Sequence, residues 1–110
     1  MKIRTHREGE CQVVAVQGSA DIAASAELRE ALLGPIESGV TCVVCDMRGA
    51  DFVGSDALGV LIMAHLKARS RGGFLRLAGP QEHLKDVLKT TRLDRLFDVF
   101  PDVPAALQQR

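Results

Sequence analysis

The sequence predicts an α/β domain built on a mixed, mostly parallel sheet of about five strands with helices packed on it. Three short apolar runs each lead into a segment in which apolar residues recur at helical spacing. Strands that alternate with helices are typical of parallel neighbours joined by crossover connections. We expect the element order β-β-α-β-α-β-α-β-α. The 110 residues suffice for one hydrophobic core, so we also expect a single domain over residues 1–110.

The first two strands are predicted over residues 3–7 and 11–17, joined by a turn at residues 8–10. Because residues 13–16 form a nearly continuous apolar run, the second strand is expected to be covered on both faces. The first strand is the one that we expect to run antiparallel to the rest of the sheet.

The first helix is predicted from Ser25, a suitable N-cap, to about Ser38, with Gly39 as the stop signal. Pro35 is expected to kink or shorten its last turn. The apolar residues at helical spacing are Leu28, Ala31, Leu32 and Ile36.

The third strand is predicted over residues 40–47, at the centre of the sheet, and the second helix over residues 56–69. Apolar residues surround much of that helix, which therefore should be heavily buried. We place Val44, Leu58 and Leu61 in the core between this strand and this helix.

The last third of the chain is predicted to contain a strand at residues 74–78, a helix after Gly79-Pro80, a short strand at residues 96–100 and a final helical turn or two. Pro80 is tolerated in the first turn of a helix. The apolar side of that helix consists of Leu84, Val87 and Leu88.

Composition argues against several kinds of partner. The 14 basic and 14 acidic residues cancel, so no long-range field attracts nucleic acid or an anionic membrane, and we expect neither as a direct partner. The N-terminal residues lack the hydrophobic core of a signal peptide, and no apolar run is long enough to span a membrane. We therefore expect a cytoplasmic protein.

The three cysteines are expected to be free, buried thiols of a reducing compartment. Cys42 and Cys45 are spaced like a metal or redox motif. In a strand, however, residues three apart project to opposite faces, so their thiolates cannot converge on one metal. Cys11 is distant in sequence, and no histidine stands at metal-ligand spacing, so we expect no metal and no cofactor.

Asp46 is the one carboxylate whose position at the end of a parallel strand suggests chemistry. No second carboxylate, lysine or histidine stands at a convincing spacing to form an acid and base pair. We therefore expect no catalytic residue, and expect Asp46 to cap backbone N–H groups in the connection of residues 47–54. Nucleophile-elbow and phosphate-loop patterns are both absent from the sequence.

Ser55 and Asp56 stand where a strand gives way to a helix. Backbone N–H groups are unpaired at a helix start, and the helix dipole favours negative charge there. A hydroxyl N-cap at Ser55, which would contribute about 1 kcal/mol, explains that residue without any regulation. Asp56 in the first turn is likewise a routine partner of the dipole, contributing about 0.3–1 kcal/mol.

Residues 43–61 nevertheless resemble the signature of STAS domains, the family of bacterial anti-sigma factor antagonists. That signature runs approximately Asp-Leu-Ser-x-Val-x-Phe-Ile-Asp-Ser-Ser-Gly-Leu-Gly. The residues that match it are Asp46, Phe52, Ser55, Leu58 and Gly59. Gly18 and Asp21 similarly resemble the family's Gly-Glu-Leu-Asp segment. The resemblance implies the STAS fold and a protein that works by binding a partner.

In the family, the second serine of the Asp-Ser-Ser-Gly run is the phosphoacceptor of a partner serine kinase. Asp56 occupies that slot here, while Ser55 keeps the first serine and offers an alternative acceptor. Gly54 replaces the preceding acid and Ala57 replaces the following glycine. The resemblance therefore implies a regulatory site in which the phosphoacceptor has been replaced by a fixed carboxylate.

By resemblance, the partner is a serine-kinase-type anti-sigma factor, whose sequestration releases a sigma factor for transcription. The expected contact surface comprises Asp21, Gly54, Ser55, Asp56, Ala57, Leu58 and Gly59. Asp21 could equally form only a local turn. Two alternatives remain open: a non-catalytic scaffold in a stressosome-like or lipid-transport complex, and a domain that binds a small ligand or nucleotide. The sequence leaves the oligomeric state open.

Overall fold

The computed structural model of the protein describes residues 1–108 and confirms the predicted architecture and element order. The strands are β1 Lys2–Glu8, β2 Cys11–Ala20, β3 Cys42–Val53, β4 Phe74–Ala78 and β5 Asp98–Phe100. The helices are α1 Ile22–Glu37, α2 Ser55–Ser70, α3 Glu82–Thr90 and α4 Val103–Gln108, with a 3-10 turn at Leu93–Arg95.

The sheet has the order β1-β2-β3-β4-β5, with β3 at the centre as predicted. β1 pairs antiparallel to β2, and every other pair is parallel. The turn between β1 and β2 contains Gly9, whose φ of 61° is readily adopted only by glycine. Because β2, β3, β4 and β5 run parallel to one another, their carboxyl ends lie at the same edge of the sheet.

The two faces of the sheet are covered unequally. Helices α1, α2 and α3 cover the front face, where the main core forms around residues such as Leu32, Leu61 and Leu77. The short helix α4 covers part of the back face over a smaller core, whose buried members are Val13, Cys42, Val44, Ala78 and Ala106. Val44 thus faces away from α2, and its predicted place between the sheet and that helix is wrong.

The prediction of three free thiols is also wrong. Cys11 and Cys42 stand directly opposite each other in the parallel pairing of β2 with β3, with their Cα atoms 4.5 Å apart, and they form a disulfide. Cys45 is the one free cysteine, and it is buried. Cys42 and Cys45 do point to opposite faces of the sheet, as the strand argument predicted, since they belong to the two different cores.

Both long helices start earlier than predicted. Helix α1 begins at Ile22 with Asp21 as its N-cap, rather than at Ser25, and Pro35 lies inside its last turn. Helix α2 begins at Ser55. Pro80 precedes α3 instead of opening it, because Gln81 is the N-cap of that helix.

Helix α2 is less buried than its apolar composition suggested. Val60, Leu61 and Ala64 are buried in the main core, whereas Leu66 is 55% exposed. Val87 of α3 is 37% exposed. Within residues 1–108, no helix is long and apolar enough to cross a membrane.

Candidate functional site

The paired ends of β2 and β3 bring the predicted contact residues to one edge of the sheet. Their pairing continues to Ala20 and Val53, the last residues of the two strands. The next residue of each strand is the N-cap of a helix, Asp21 for α1 and Gly54 for α2. The two helices therefore start side by side, and we call the surface formed by Asp21 and residues 54–59 the helix-start surface.

Asp21 caps its own helix. Its Oδ1 accepts a hydrogen bond from the backbone N–H of Ala24 at 3.0 Å. Such a cap satisfies one of the N–H groups that the start of a helix leaves unpaired. Asp21 is also exposed, so the same carboxylate is accessible from solvent.

The start of α2 differs from that of α1. The N-cap is Gly54, which has no side chain, and Ser55 is the first residue of the helix, so the predicted hydroxyl cap at Ser55 is wrong. Both Ser55 and Asp56 are exposed. The first N–H groups of α2 thus lack a side-chain cap, and the carboxylate of Asp56 lies in the turn where the helix dipole favours negative charge.

The other members of the helix-start surface differ in accessibility. Ala57 is fully buried in the main core, so its side chain cannot reach a partner. Leu58 is half-buried and packs against that core. Gly59 is exposed, and a Cβ added there would meet no atom within 4 Å. The accessible side chains of this surface are therefore mainly polar, with Leu58 as the apolar contribution.

Phe52 matches the family signature, but its exposure is not predicted from the sequence. Phe52 lies near the end of β3, opposite Ser19 of β2, and is 52% exposed. Asp51 beside it is also exposed. An exposed aromatic ring next to a helix start can supply apolar contact area to a protein partner. The acidic residue before Phe52 was a signal that this end of the strand leaves the core.

Asp46 lies inside β3, where the pairing with β2 shifts register, because the strand predicted to end at residue 47 continues to Val53. Its carboxylate accepts two bonds from the Arg48 guanidinium, from Nε at 2.9 Å and from Nη2 at 2.8 Å. Oδ1 also accepts the Arg48 backbone N–H at 3.2 Å, so Asp46 does accept a backbone N–H as predicted, but within β3 rather than in a connection. The Arg48 carbonyl in turn accepts a bond from the Gln81 side chain at 2.9 Å.

The pKa of Asp46 reflects opposing causes. Burial by itself raises the pKa, but hydrogen bonds and positive charge from Arg48, aided by His6, bring the net value below the usual one for aspartate. The same pair raises the pKa of Arg48, chiefly through the hydrogen bond to Asp46. Asp46 therefore stays ionised and paired with Arg48, which suits a structural carboxylate better than a general acid or base.

No group of three or more His, Cys, Asp or Glu side chains in residues 1–108 is arranged to hold a metal ion. His65 is buried in α2 and packs edge-on against Phe97, with ring centroids 5.3 Å apart. It lies on the core side of the helix, away from the exposed Ser55 and Asp56.

Sequence comparison finds relatives of this chain among known proteins. A candidate anti-sigma factor antagonist of Thermotoga neapolitana, a homologue of TM1081, is 27% identical over 74 residues, which are 67% of this chain and 66% of the relative. The chain thus matches slightly less than two thirds of that relative's length.

Solved structures share the fold. The crystal structure of the candidate antagonist TM1081 from Thermotoga maritima superposes with a TM-score of 0.90 at 19% identity, covering 96% of this chain and 92% of that one. The Bacillus cell fate determinant SpoIIAA, an anti-sigma factor antagonist in its phosphorylated form, gives a TM-score of 0.74 at 17% identity, covering 89% and 90%. The family model of the STAS domain matches residues 2–106, so the chain belongs to the STAS domain family.

Proposed function

We propose that this protein is an anti-sigma factor antagonist that binds a serine-kinase-type anti-sigma factor through the helix-start surface, without catalytic turnover of its own. The observation that carries the proposal is the position of Ser55 and Asp56, which are exposed in the first turn of a helix that has no side-chain cap. The Thermotoga relative is named as a candidate antagonist, which supports the same role.

The proposed regulation follows from charge at residue 56. SpoIIAA has been solved in both a phosphorylated and an unphosphorylated form. A phosphoserine carries about −1.5 to −2 charges and three acceptor oxygens, whereas aspartate carries one charge on a shorter arm. Asp56 is therefore a partial and permanent mimic of the modified state, and it weakens partner binding without abolishing it.

The sharpest test exchanges that one carboxylate. The Asp56→Ser variant restores the hydroxyl of the family signature, and it serves as bait to capture a kinase-type anti-sigma factor from lysate of the source cell. With the captured protein, we expect Asp56→Ser to bind about tenfold more tightly than the natural protein, a difference of about 1.4 kcal/mol. Calorimetric titration of both forms measures it.

Ser55→Ala is the matched control, since it removes a hydroxyl one residue away and leaves the charge unchanged. We expect its affinity to stay close to that of the natural protein. With kinase and ATP, Asp56→Ser should gain one phosphate at residue 56, and the natural protein none. Equal affinities of the natural and Asp56→Ser proteins would refute the mimic, and phosphate on Ser55 of the natural protein would show that the acceptor has moved rather than disappeared.

The proposed site of action is the cytoplasm, where sigma factors and their regulators meet RNA polymerase.

The absence of turnover is tested separately, because any reproducible activity that disappears with Ser55→Ala or Asp46→Ala would identify the protein as an enzyme.

A further inference from the structure

The disulfide between Cys11 and Cys42 lies at the edge of the sheet opposite the helix-start surface. Both cysteines are the first residues of their strands, and they face each other across the β2–β3 pair. Cys42 is only 5% exposed and belongs to the back core, whereas Cys11 is half-buried at the margin of that core. Cys11 is therefore the more exposed residue of the pair.

A surface cavity of about 310 Å³ gives access to this bond. Both cysteines line it, together with Glu8 and Glu10, and no lysine or arginine is among the lining residues. The volume is sufficient for a small thiol or disulfide molecule. The two carboxylates disfavour anionic reagents, so neutral ones such as dithiothreitol or 2-hydroxyethyl disulfide fit the cavity better.

The geometry points to a thiol–disulfide exchange site at Cys11 and Cys42, in which Cys11 is the exchanging residue and Cys42 the resolving one. This site is independent of the proposed binding function. In a reducing compartment the pair rests as two thiols, and a small disulfide oxidises it.

Oxidation takes two displacement steps. The Cys11 thiolate attacks one sulfur of the small disulfide and releases one thiolate, and the Cys42 thiolate then attacks Sγ of Cys11 and releases the second. The two cysteines together lose two electrons and two protons, and the small disulfide becomes two thiols. Reduction runs in reverse, with the reagent attacking Sγ of Cys11 because Cys11 is the more exposed of the two residues.

Single variants in the folded protein test the order of these steps. With Cys42→Ser, 2-hydroxyethyl disulfide should form a stable mixed disulfide on Cys11, since the resolving thiol is gone. With Cys11→Ser, modification of Cys42 should be at least about tenfold slower because that thiol is buried. Peptide mass spectrometry locates the adduct. If a serine variant fails to fold, the alanine variant of the same cysteine, Cys42→Ala or Cys11→Ala, replaces it.

Cys45 is an internal control in both variants. Its thiol is fully buried, and burial, aided by the charge of Asp46, raises its pKa to about 12, so it should remain unmodified until the protein is unfolded. If Cys42 in the Cys11→Ser variant is modified as fast as Cys11 in the Cys42→Ser variant, or faster, the assigned order is wrong.

The natural protein tests whether exchange occurs at all. After native reduction with dithiothreitol and treatment with 2-hydroxyethyl disulfide, we expect one cross-link and one remaining thiol. Three titratable thiols after this treatment, or a disulfide that dithiothreitol opens only in denaturant, would overturn the proposal.

Discussion

At the scale of single residues, Asp46 and Arg48 form a partly exposed ion pair at the point where β3 shifts its register against β2. The Arg48 side chain is 65% exposed and that of Asp46 is 10% exposed, so water screens one partner and not the other. A pair of this kind contributes less than a buried one, but its two parallel hydrogen bonds define a single geometry. That geometry lies in the middle of β3, ahead of Phe52 and the start of α2.

Asp46→Asn should reveal this pair through the pH dependence of stability. Because the pKa of Asp46 is lower in the folded protein than in the unfolded chain, its contribution is present above the unfolded value of about 4 and is lost as the pH falls through the folded value. We expect the variant to be less stable by about 1–2 kcal/mol at pH 7. Urea titrations should show this difference shrinking below about pH 4.

The exposed Asp51 offers a matched control, since Asp51→Asn removes a carboxylate that forms no ion pair within the described part of the chain. A difference between Asp46→Asn and the natural protein that stays constant from pH 3 to pH 7 would exclude the linkage.

Asp21 combines a structural and a proposed recognition role in one carboxylate. Asp21→Ala removes the cap on Ala24 and should cost about 1 kcal/mol in unfolding free energy. Asp21→Ser keeps a capping oxygen and removes the charge, so its stability should stay within about 0.5 kcal/mol of the natural protein. Thermal unfolding of the two variants separates the effect of the cap from that of the charge, and equal losses in both would mean that the charge, rather than the cap, stabilises α1.

At the scale of secondary structure elements, α2 presents two different apolar surfaces. One stripe faces the sheet, where Leu61 is fully buried. The other lies toward α1 and solvent, where Leu66 is exposed beside Leu33 in an open groove between the two helices. An apolar helix can therefore be only partly buried, because one face suffices to attach it to the sheet.

Leu61→Ala and Leu66→Ala form a matched pair within this helix. The first removes buried methyl groups and leaves a cavity, so we expect a loss of about 2–5 kcal/mol. The second truncates an exposed side chain and should change stability by less than about 0.5 kcal/mol. Denaturant titration measures both, and similar losses for the two variants would show that the face of α2 has been assigned incorrectly.

At the scale of the whole molecule, the back of the sheet depends on one buried arginine. Arg76 of β4 lies under α4, and its Nη1 donates a hydrogen bond of 2.7 Å to the carbonyl of Ala106. Its guanidinium carbon lies 3.9 Å from the ring centroid of Phe74 and 5.3 Å from that of Phe100. Since the described part of α4 has only six residues, tertiary contacts of this kind must supply its stability.

Arg76→Met keeps a long, flexible side chain and removes the donor and the cation–π contacts. We expect a loss of about 1–3 kcal/mol, from the carbonyl left without its donor and the lost ring contacts. Hydrogen exchange should accelerate first in α4, while α1 and α2 on the opposite face keep their protection. Uniform acceleration across the molecule would show that α4 does not open independently of the main core.

Local patterns determined much of this fold. The strand at residues 74–78 has the predicted bounds, and Gly39 follows the end of α1 with a φ of 107°. The order of strands and helices, the antiparallel first strand and the central position of β3 also follow from apolar periodicity and connection rules. These features depend on residues close together in the chain, so their signals survive in a single sequence.

What only the tertiary structure decided depends on pairing between distant segments. The register of β2 against β3 sets Cys11 opposite Cys42 and turns two expected thiols into a disulfide. The same sheet has helices on both faces, so Val44 could be assigned to its side only once α4 was placed. Local composition also favoured Ser25 and Ser55 as caps, whereas the observed caps, Asp21 and Gly54, are set by where the paired strands end. A sequence read locally carries the period of each element, but the register between elements arises from packing across the whole chain.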